Sequence, residues 1–152
     1  MSLYTKIKQK LLHNMYVEQL ISKKRIECAN NASFHIYNPI NFKISRGAKI
    51  FVKEGCLSIN NSWFEGMKHQ LGELLLEHNS TLIVYGDFSI YNGTSVYLAN
   101  NASMTLGKNS FFNNGCVIEC YSKISIGSGC GIGDHVRISD SDIHSMCAFK
   151  NN

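Results

Sequence analysis

No stretch of the sequence stays apolar for the roughly 20 residues that a bilayer-spanning helix needs, so no membrane span is expected. The opening residues, Met1 to Leu12, carry Lys6, Lys8 and Lys10 but no apolar segment of signal-peptide length, which leads to the expectation of a cytoplasmic location. No run of Lys and Arg is concentrated enough to indicate nucleic acid. The net charge is +4, and the densest cluster, Lys23-Lys24-Arg25, reads as a solvated corner. Cys-x-x-Cys pairs are missing and the six cysteines show no recurring spacing, which favours free thiols over a disulfide framework. Proline occurs once.

What is present suits one domain of ordinary globular balance, 44% hydrophobic and 17% charged over 152 residues. Ile, Val, Phe and Tyr are abundant and Asn and Gly supply turns, so an all-β domain of short strands and tight corners is expected rather than a helical bundle. Five Asn-x-Ser/Thr triplets, at Asn31, Asn60, Asn79, Asn92 and Asn101, are what an Asn-rich chain produces by chance.

An internal repeat organises the chain. From Leu106 an apolar residue recurs every six positions, at Phe112, Ile118 and Ile124, then after a two-residue slip at Ile126, Ile132 and Ile138. The next step of six lands on His144. Four places after most of these anchors stands a small or slender residue: Ser110, Cys116, Ser122, Cys130 and Val136. Each six-residue unit is then a short strand plus a corner, three units close a triangular coil, and the anchors stack along its axis. Gly107, Gly127 and Gly133 follow three anchors directly, where a missing side chain relieves crowding or permits unusual dihedrals. A looser series upstream, Val84, Ile90, Val96 and Ala102, extends the pattern, giving about three well-defined coils over residues 82–146. Residues 40–81 read as irregular early coils, with Ile44, Ile50, Leu57 and Ile59 as partial anchors and the Trp63 to His78 stretch leaning to strand. Ile7, Leu11, Leu12, Met15 and Leu20 are spaced for a helical cap within residues 1–24.

The runs Leu106-Gly-Lys-Asn-Ser-Phe-Phe-Asn-Asn-Gly-Cys-Val-Ile118 and Ile124-Ser-Ile-Gly-Ser-Gly-Cys-Gly-Ile-Gly-Asp-His-Val-Arg-Ile138, followed by Ser139-Asp-Ser-Asp-Ile-His144, resemble the hexapeptide-repeat acyltransferases. They are most similar to those that O-acetylate sugars of cell-surface or capsular polysaccharide. The resemblance covers residues of about 80 to 146. It implies a left-handed parallel β-helix, acetyl-CoA as donor, a sugar or polysaccharide-precursor acceptor, and a homotrimer with active sites between subunits. It also implies His144 as general base and Asn113 as the residue holding the acceptor hydroxyl. The family continues with further coils that line the CoA channel, whereas this sequence runs eight residues past His144. The expectation is therefore either a piece of a longer chain or a product lacking the donor site, and the alternative function is a noncatalytic solenoid that binds carbohydrate or supports assembly.

Read from the residues alone, His144 takes the step at which Ile124 stands one coil earlier, so an imidazole interrupts the aliphatic order; its near-neutral pKa suits deprotonating a hydroxyl as it attacks. Asp140 and Asp142 lie close enough to orient that ring, with Asp142 preferred, or else form a polar corner with Ser141. Asn113 offers both amide groups to an acceptor hydroxyl, or serves as a corner asparagine beside Asn114, which reads as structural. No metal is expected: His135 and His144 are not joined by any spacing to His13, His35, His69 or His78. Cys116 and Cys130 fall on the slender repeat position, and Cys120 has no place in the repeat.

Overall fold

The computed structural model describes residues 17–21 and 23–142, and these form a left-handed parallel β-helix of five coils. The first coil comprises β1 (Ile26–Cys28), β2 (Ser33–Ile36) and β3 (Ile40–Ile44), and the second β4 (Lys49–Glu54), β5 (Cys56–Asn61) and β6 (Gly72–Leu76). The third coil is β7 (Thr81–Tyr85), β8 (Phe88–Tyr91) and β9 (Ser95–Leu98), and the fourth β10 (Ser103–Leu106), β11 (Ser110–Phe112) and β12 (Val117–Cys120). The fifth is β13 (Lys123–Ile126), β14 (Gly131–Ile132) and β15 (Arg137–Ser139). Every third strand stacks into the same face, giving three parallel five-stranded sheets: β1-β4-β7-β10-β13, β2-β5-β8-β11-β14 and β3-β6-β9-β12-β15.

The anchors stack as the spacing requires except Ile124, which stands opposite Met104 rather than on the column of Leu106 and Ile126. Val84 pairs with Leu106 and Leu106 with Ile126; Ile90, Phe112 and Ile132 align on the second face, and Val96, Ile118 and Ile138 on the third. A parallel strand whose side chains alternate between axis and solvent buries every second residue, and β7, β10 and β12 follow that rule. Most strands have room for two inward positions, so a second set of columns runs beside the first. It includes Leu82 and Met104 on the first face, and Leu76, Leu98 and Cys120 on the third, all buried. Cys120 therefore does have a repeat role, as a small apolar filler on the axis.

Residues 17–21 are helical, with Leu20 buried in the core and Val17 packed against it, so the described part of the expected cap covers the axis of the first coil. Of the rest of the expected cap, residues 23–24 are turn rather than helix, and residues 1–16 and 22 lie outside the described residues, as does His144. Arg25 fastens the same end, its guanidinium donating to the Ile44 carbonyl at 3.2 Å and to that of Ser45.

The early coils pair in the same parallel order as the later ones, Phe42 opposite Leu74 and Ile50 opposite Leu82, but the register shifts between Val52 and Glu54 in β4 and between Ile59 and Asn61 in β5. They also carry one excursion, residues 62–71, which leaves the coil after β5 and returns at β6. Of the Trp63 to His78 stretch only Gly72–Leu76 is strand.

Where the third face hands over to the first, three corners are alike and the last is shorter. At corners 45–48, 77–80 and 99–102 a four-residue turn is closed by Ala48 N donating to Ser45 O, Ser80 N to Glu77 O and Ala102 N to Ala99 O, at 3.0, 3.1 and 3.1 Å. The third residue of each is left-handed, Gly47 at φ 76°, Asn79 at 58° and Asn101 at 62°, a conformation glycine and asparagine tolerate best. Ala102 thus belongs to a corner, beside buried Ala48 and Ser80, rather than to the anchor series. The next corner is shorter, Tyr121 and Ser122 alone joining β12 to β13.

The expected role of the anchor-following glycines holds for one of three. None of Gly107, Gly127 and Gly133 is among the positive-φ glycines. At Gly107 a Cβ would stand 2.5 Å from the Gly127 carbonyl carbon and the Ser128 nitrogen, so close backbone stacking needs glycine there; at Gly133 nothing lies within 4 Å.

Candidate functional site

Asn113 follows β11 at the corner between the second and third faces. Its backbone is fixed by the coils on either side: its N–H donates to Ile132 O at 2.9 Å and its carbonyl accepts from Thr94 Oγ1 at 2.7 Å. Its side-chain oxygen accepts from Trp63 Nε1 at 2.6 Å and from Asn114 Nδ2 at 3.3 Å. The amide nitrogen of Asn113 has no partner among the described residues. Asn114 is structural, as expected, its backbone and side-chain nitrogens donating to Asp134 Oδ1 at 3.1 and 3.2 Å; its own Oδ1 is buried without a partner.

Trp63 reaches Asn113 from the 62–71 excursion. The indole lies nearly parallel on Tyr91, centroids 4.3 Å apart and planes at 18°, and meets Phe111 edge-on at 5.6 Å and 89°. Tyr91 and Phe111 sit on adjacent strands of the second face, and the Phe111 ring lies over Gly131 one coil further, where a Cβ would come within 2.8 Å of it. Three contacts thus fix the orientation of an indole that is still 46% exposed, and Phe64 beside it in the chain is 73% exposed.

Two buried asparagines hold the excursion to the coils. Asn60, 1% exposed, donates to Pro39 O at 2.7 Å, Gln70 O at 3.2 Å and Tyr37 O at 3.3 Å, and accepts from Gly93 N at 2.9 Å. Asn92, 2% exposed, accepts from Gln70 N at 2.7 Å and donates to Lys68 O at 3.0 Å. Both belong to Asn-x-Ser/Thr triplets, yet both amides are spent on backbone groups that burial would otherwise leave unpaired.

The Asp-Ser-Asp segment stands at a different corner, the one that follows β15 on the third face. The strand ends at Ser139, so strict alternation does not carry through to Asp142. Asp140 is committed to the coil before it: its carboxylate accepts from the N–H groups of Tyr121, Ser122 and Lys123 at 2.6, 2.8 and 2.6 Å. Partial burial works against the charge, but these backbone donors outweigh it and hold the carboxyl below its ordinary pKa. Of the two readings of Asp140, the polar corner is the one its bonds match. Asp142 is exposed, and the structure brings it to no other candidate residue; its relation to His144 lies outside the described residues.

Cys116 and Cys120 are buried thiols whose Sγ atoms contact Gly133 O at 3.0 Å and Ser103 O at 3.3 Å. Burial, reinforced by the Asp140 charge, pushes the Cys120 thiol up to about 11. Cys28, Cys56, Cys116, Cys120 and Cys130 are all unpaired. Among the described residues no three His, Cys, Asp or Glu side chains gather as metal ligands, and no helix is long and apolar enough to cross a membrane. His135, at φ 57°, is a corner residue, its ring over Gly115.

Sequence reasoning missed Trp63, Tyr91 and Phe111. The available signals were the placement of the sole tryptophan between coils and an aromatic residue adjoining each of the anchors Ile90 and Phe112. No family model, curated protein or solved structure matches the chain.

Proposed function

We propose that this chain belongs to an O-acyltransferase that moves an acetyl group from acetyl-CoA to a sugar hydroxyl of a cell-surface or capsular polysaccharide precursor. His144 is the general base, oriented by Asp142, and Asn113 holds the acceptor. The hydroxyl oxygen attacks the thioester carbonyl while the imidazole takes its proton. Collapse of the tetrahedral adduct breaks the carbon–sulfur bond, and the imidazolium returns the proton to the departing thiolate.

The observation that carries this reading is the break in the axial columns. Ile126, Ile132 and Ile138 stand at six-residue steps, Ile132 and Ile138 stacked on Phe112 and Ile118 of the coil before, and the next step of six in the sequence is not an aliphatic residue but His144. Local rules fail preferentially at functional sites. The corners support the trimer as well. Asn113 lies between the second and third faces and Asp142 after the third, so one acceptor touching Asn113 and His144 is most simply shared by two protomers.

His144→Ala should lower acetyl transfer by about 10²–10⁴-fold. Mixed oligomers of Asn113→Ala and His144→Ala protomers should recover part of the lost activity, since some interfaces then carry both native residues. Unchanged turnover in His144→Ala would remove the base from the mechanism. The exposed Trp63, packed against half-buried Tyr91 and Phe111, favours a second reading, a noncatalytic carbohydrate-binding solenoid. Calorimetric titration with CoA separates the two, because micromolar binding contradicts a solenoid without donor chemistry.

A further inference from the structure

We infer that Trp63, Tyr91 and Phe111, with the Asn113 amide, form a saccharide-binding platform in which a pyranose ring lies on the indole. A sugar ring presents an apolar C–H face and a rim of hydroxyls, so it is recognised by a fixed aromatic face bordered by neutral hydrogen-bonding groups. The cluster has both parts. The indole is oriented by the Tyr91 stack, the Phe111 edge and the Nε1 bond to Asn113, while 46% of the residue stays open to solvent. The Asn113 Nδ2 and the Tyr91 hydroxyl, at its border, have no partners among the described residues.

The three residues that orient the indole, Tyr91, Phe111 and Asn113, are uncharged, which favours a neutral polyol over a nucleotide or another anion. The support is rigid as well. Asn60 and Asn92 fix both the coil corners and the return of the excursion, so the ring is presented without a large ordering cost on binding. The platform shares a saccharide ligand with the acyl-transfer reading, but it needs neither His144 nor a donor.

Trp63 is the only tryptophan, so its emission reports on the platform directly. The full chain is titrated with methyl glucoside, methyl galactoside and oligomers of N-acetylglucosamine, followed by fluorescence and calorimetry. At least one of these sugars should shift the emission saturably. Trp63→Ala and Tyr91→Ala should each weaken its binding by about tenfold or more, equivalent to about 1.4 kcal/mol. Tyr97→Ala, which disrupts the aromatic pair with Tyr121 on the third face, should bind as the native chain does. Circular dichroism of Trp63→Ala should show the coils intact, since the indole lies outside the axial stack.

The platform is refuted if no sugar in the panel binds or if Trp63→Ala binds as well as the native chain. An emission that instead shifts with protein concentration, alongside sedimentation of dimers or trimers that Trp63→Ala abolishes, also refutes it, by making the cluster a contact between copies. Sugar binding that survives while His144→Ala leaves acetyl transfer unchanged refutes the base and keeps the platform. Lost sugar binding with intact acetyl-CoA turnover does the reverse.

Discussion

The Cys120 thiol stands 4.0 Å from the Asp140 carboxylate, on the column that Leu76 and Leu98 fill lower in the solenoid. The contact follows from a shortened corner. Where four residues turn the chain at 45–48, 77–80 and 99–102, each turn closes on its own backbone, with one added side-chain bond at 77–80 from His78 N to Asn100 Oδ1; where Tyr121 and Ser122 turn it alone, one carboxylate from the next coil takes three successive amides. Asp140 is long enough to do so and carries the charge that strengthens each bond.

That arrangement makes stability depend on pH. With its pKa lowered on folding, Asp140 stabilises the native state above the unfolded carboxylate value of about 3.9. The contribution disappears as pH falls through the lower, folded value. Asp140→Ala should therefore lower stability near neutrality by about 1 kcal/mol, allowing for solvent screening. The difference from the native chain should shrink in acid. Urea midpoints at pH 7 and in strong acid test this, and an equal loss at both would assign the effect to packing instead.

The same corner silences a thiol. Cys120 is buried, with its pKa raised to about 11, and Cys116 is buried directly before the same strand, whereas Cys28 is exposed. Iodoacetamide at pH 8 should label Cys28 well before Cys116 or Cys120, as followed by peptide mass spectrometry. Rapid native-state labelling of Cys120 would contradict its inward placement.

The sequence made the axial stack from Val84 to Ile138 legible because aliphatic side chains must recur at a fixed spacing to fill a triangular axis. It hid the companion column of Cys120, since a six-residue spacing marks one inward residue per strand and β12 has two, Ile118 and Cys120. It hid the pairing of the early coils for a different reason: the excursion 62–71 stretches the step from Ile50 to Leu82 and register shifts interrupt β4 and β5, while Leu82 to Met104 keeps the later spacing. The aromatic cluster had no periodic signature, because outward positions are free of the axial constraint. Trp63 and Asn113 are fifty residues apart and meet only once the excursion folds back over the coils.

The excursion should depend on Asn60 more than on any residue within it. Asn60→Ala removes three donated bonds and one accepted bond and places alanine at φ 59°. Buried partners left unpaired cost about 1–3 kcal/mol. Hydrogen exchange followed by mass spectrometry should show faster exchange across residues 62–71, with β10 to β12 little changed. Uniform acceleration over all coils would mean that Asn60 supports the whole solenoid.

Phe111 and Phe112 adjoin in sequence but point to opposite sides of β11, and their alanine variants should separate packing from presentation. Phe112 is fully buried against Phe88, ring centroids 4.9 Å apart, so Phe112→Ala should cost about 3–5 kcal/mol. Phe111 is only half-buried and contributes edge contacts to Trp63 and Tyr91, so Phe111→Ala should cost about 1 kcal/mol. Removing the outer ring should nevertheless shift the Trp63 emission, because the indole loses one of its three fixed contacts. Denaturant midpoints and native-state fluorescence of the two variants measure this difference. If Phe111→Ala proved as destabilising as Phe112→Ala, the outer rings would be part of the solenoid's support rather than a surface it presents.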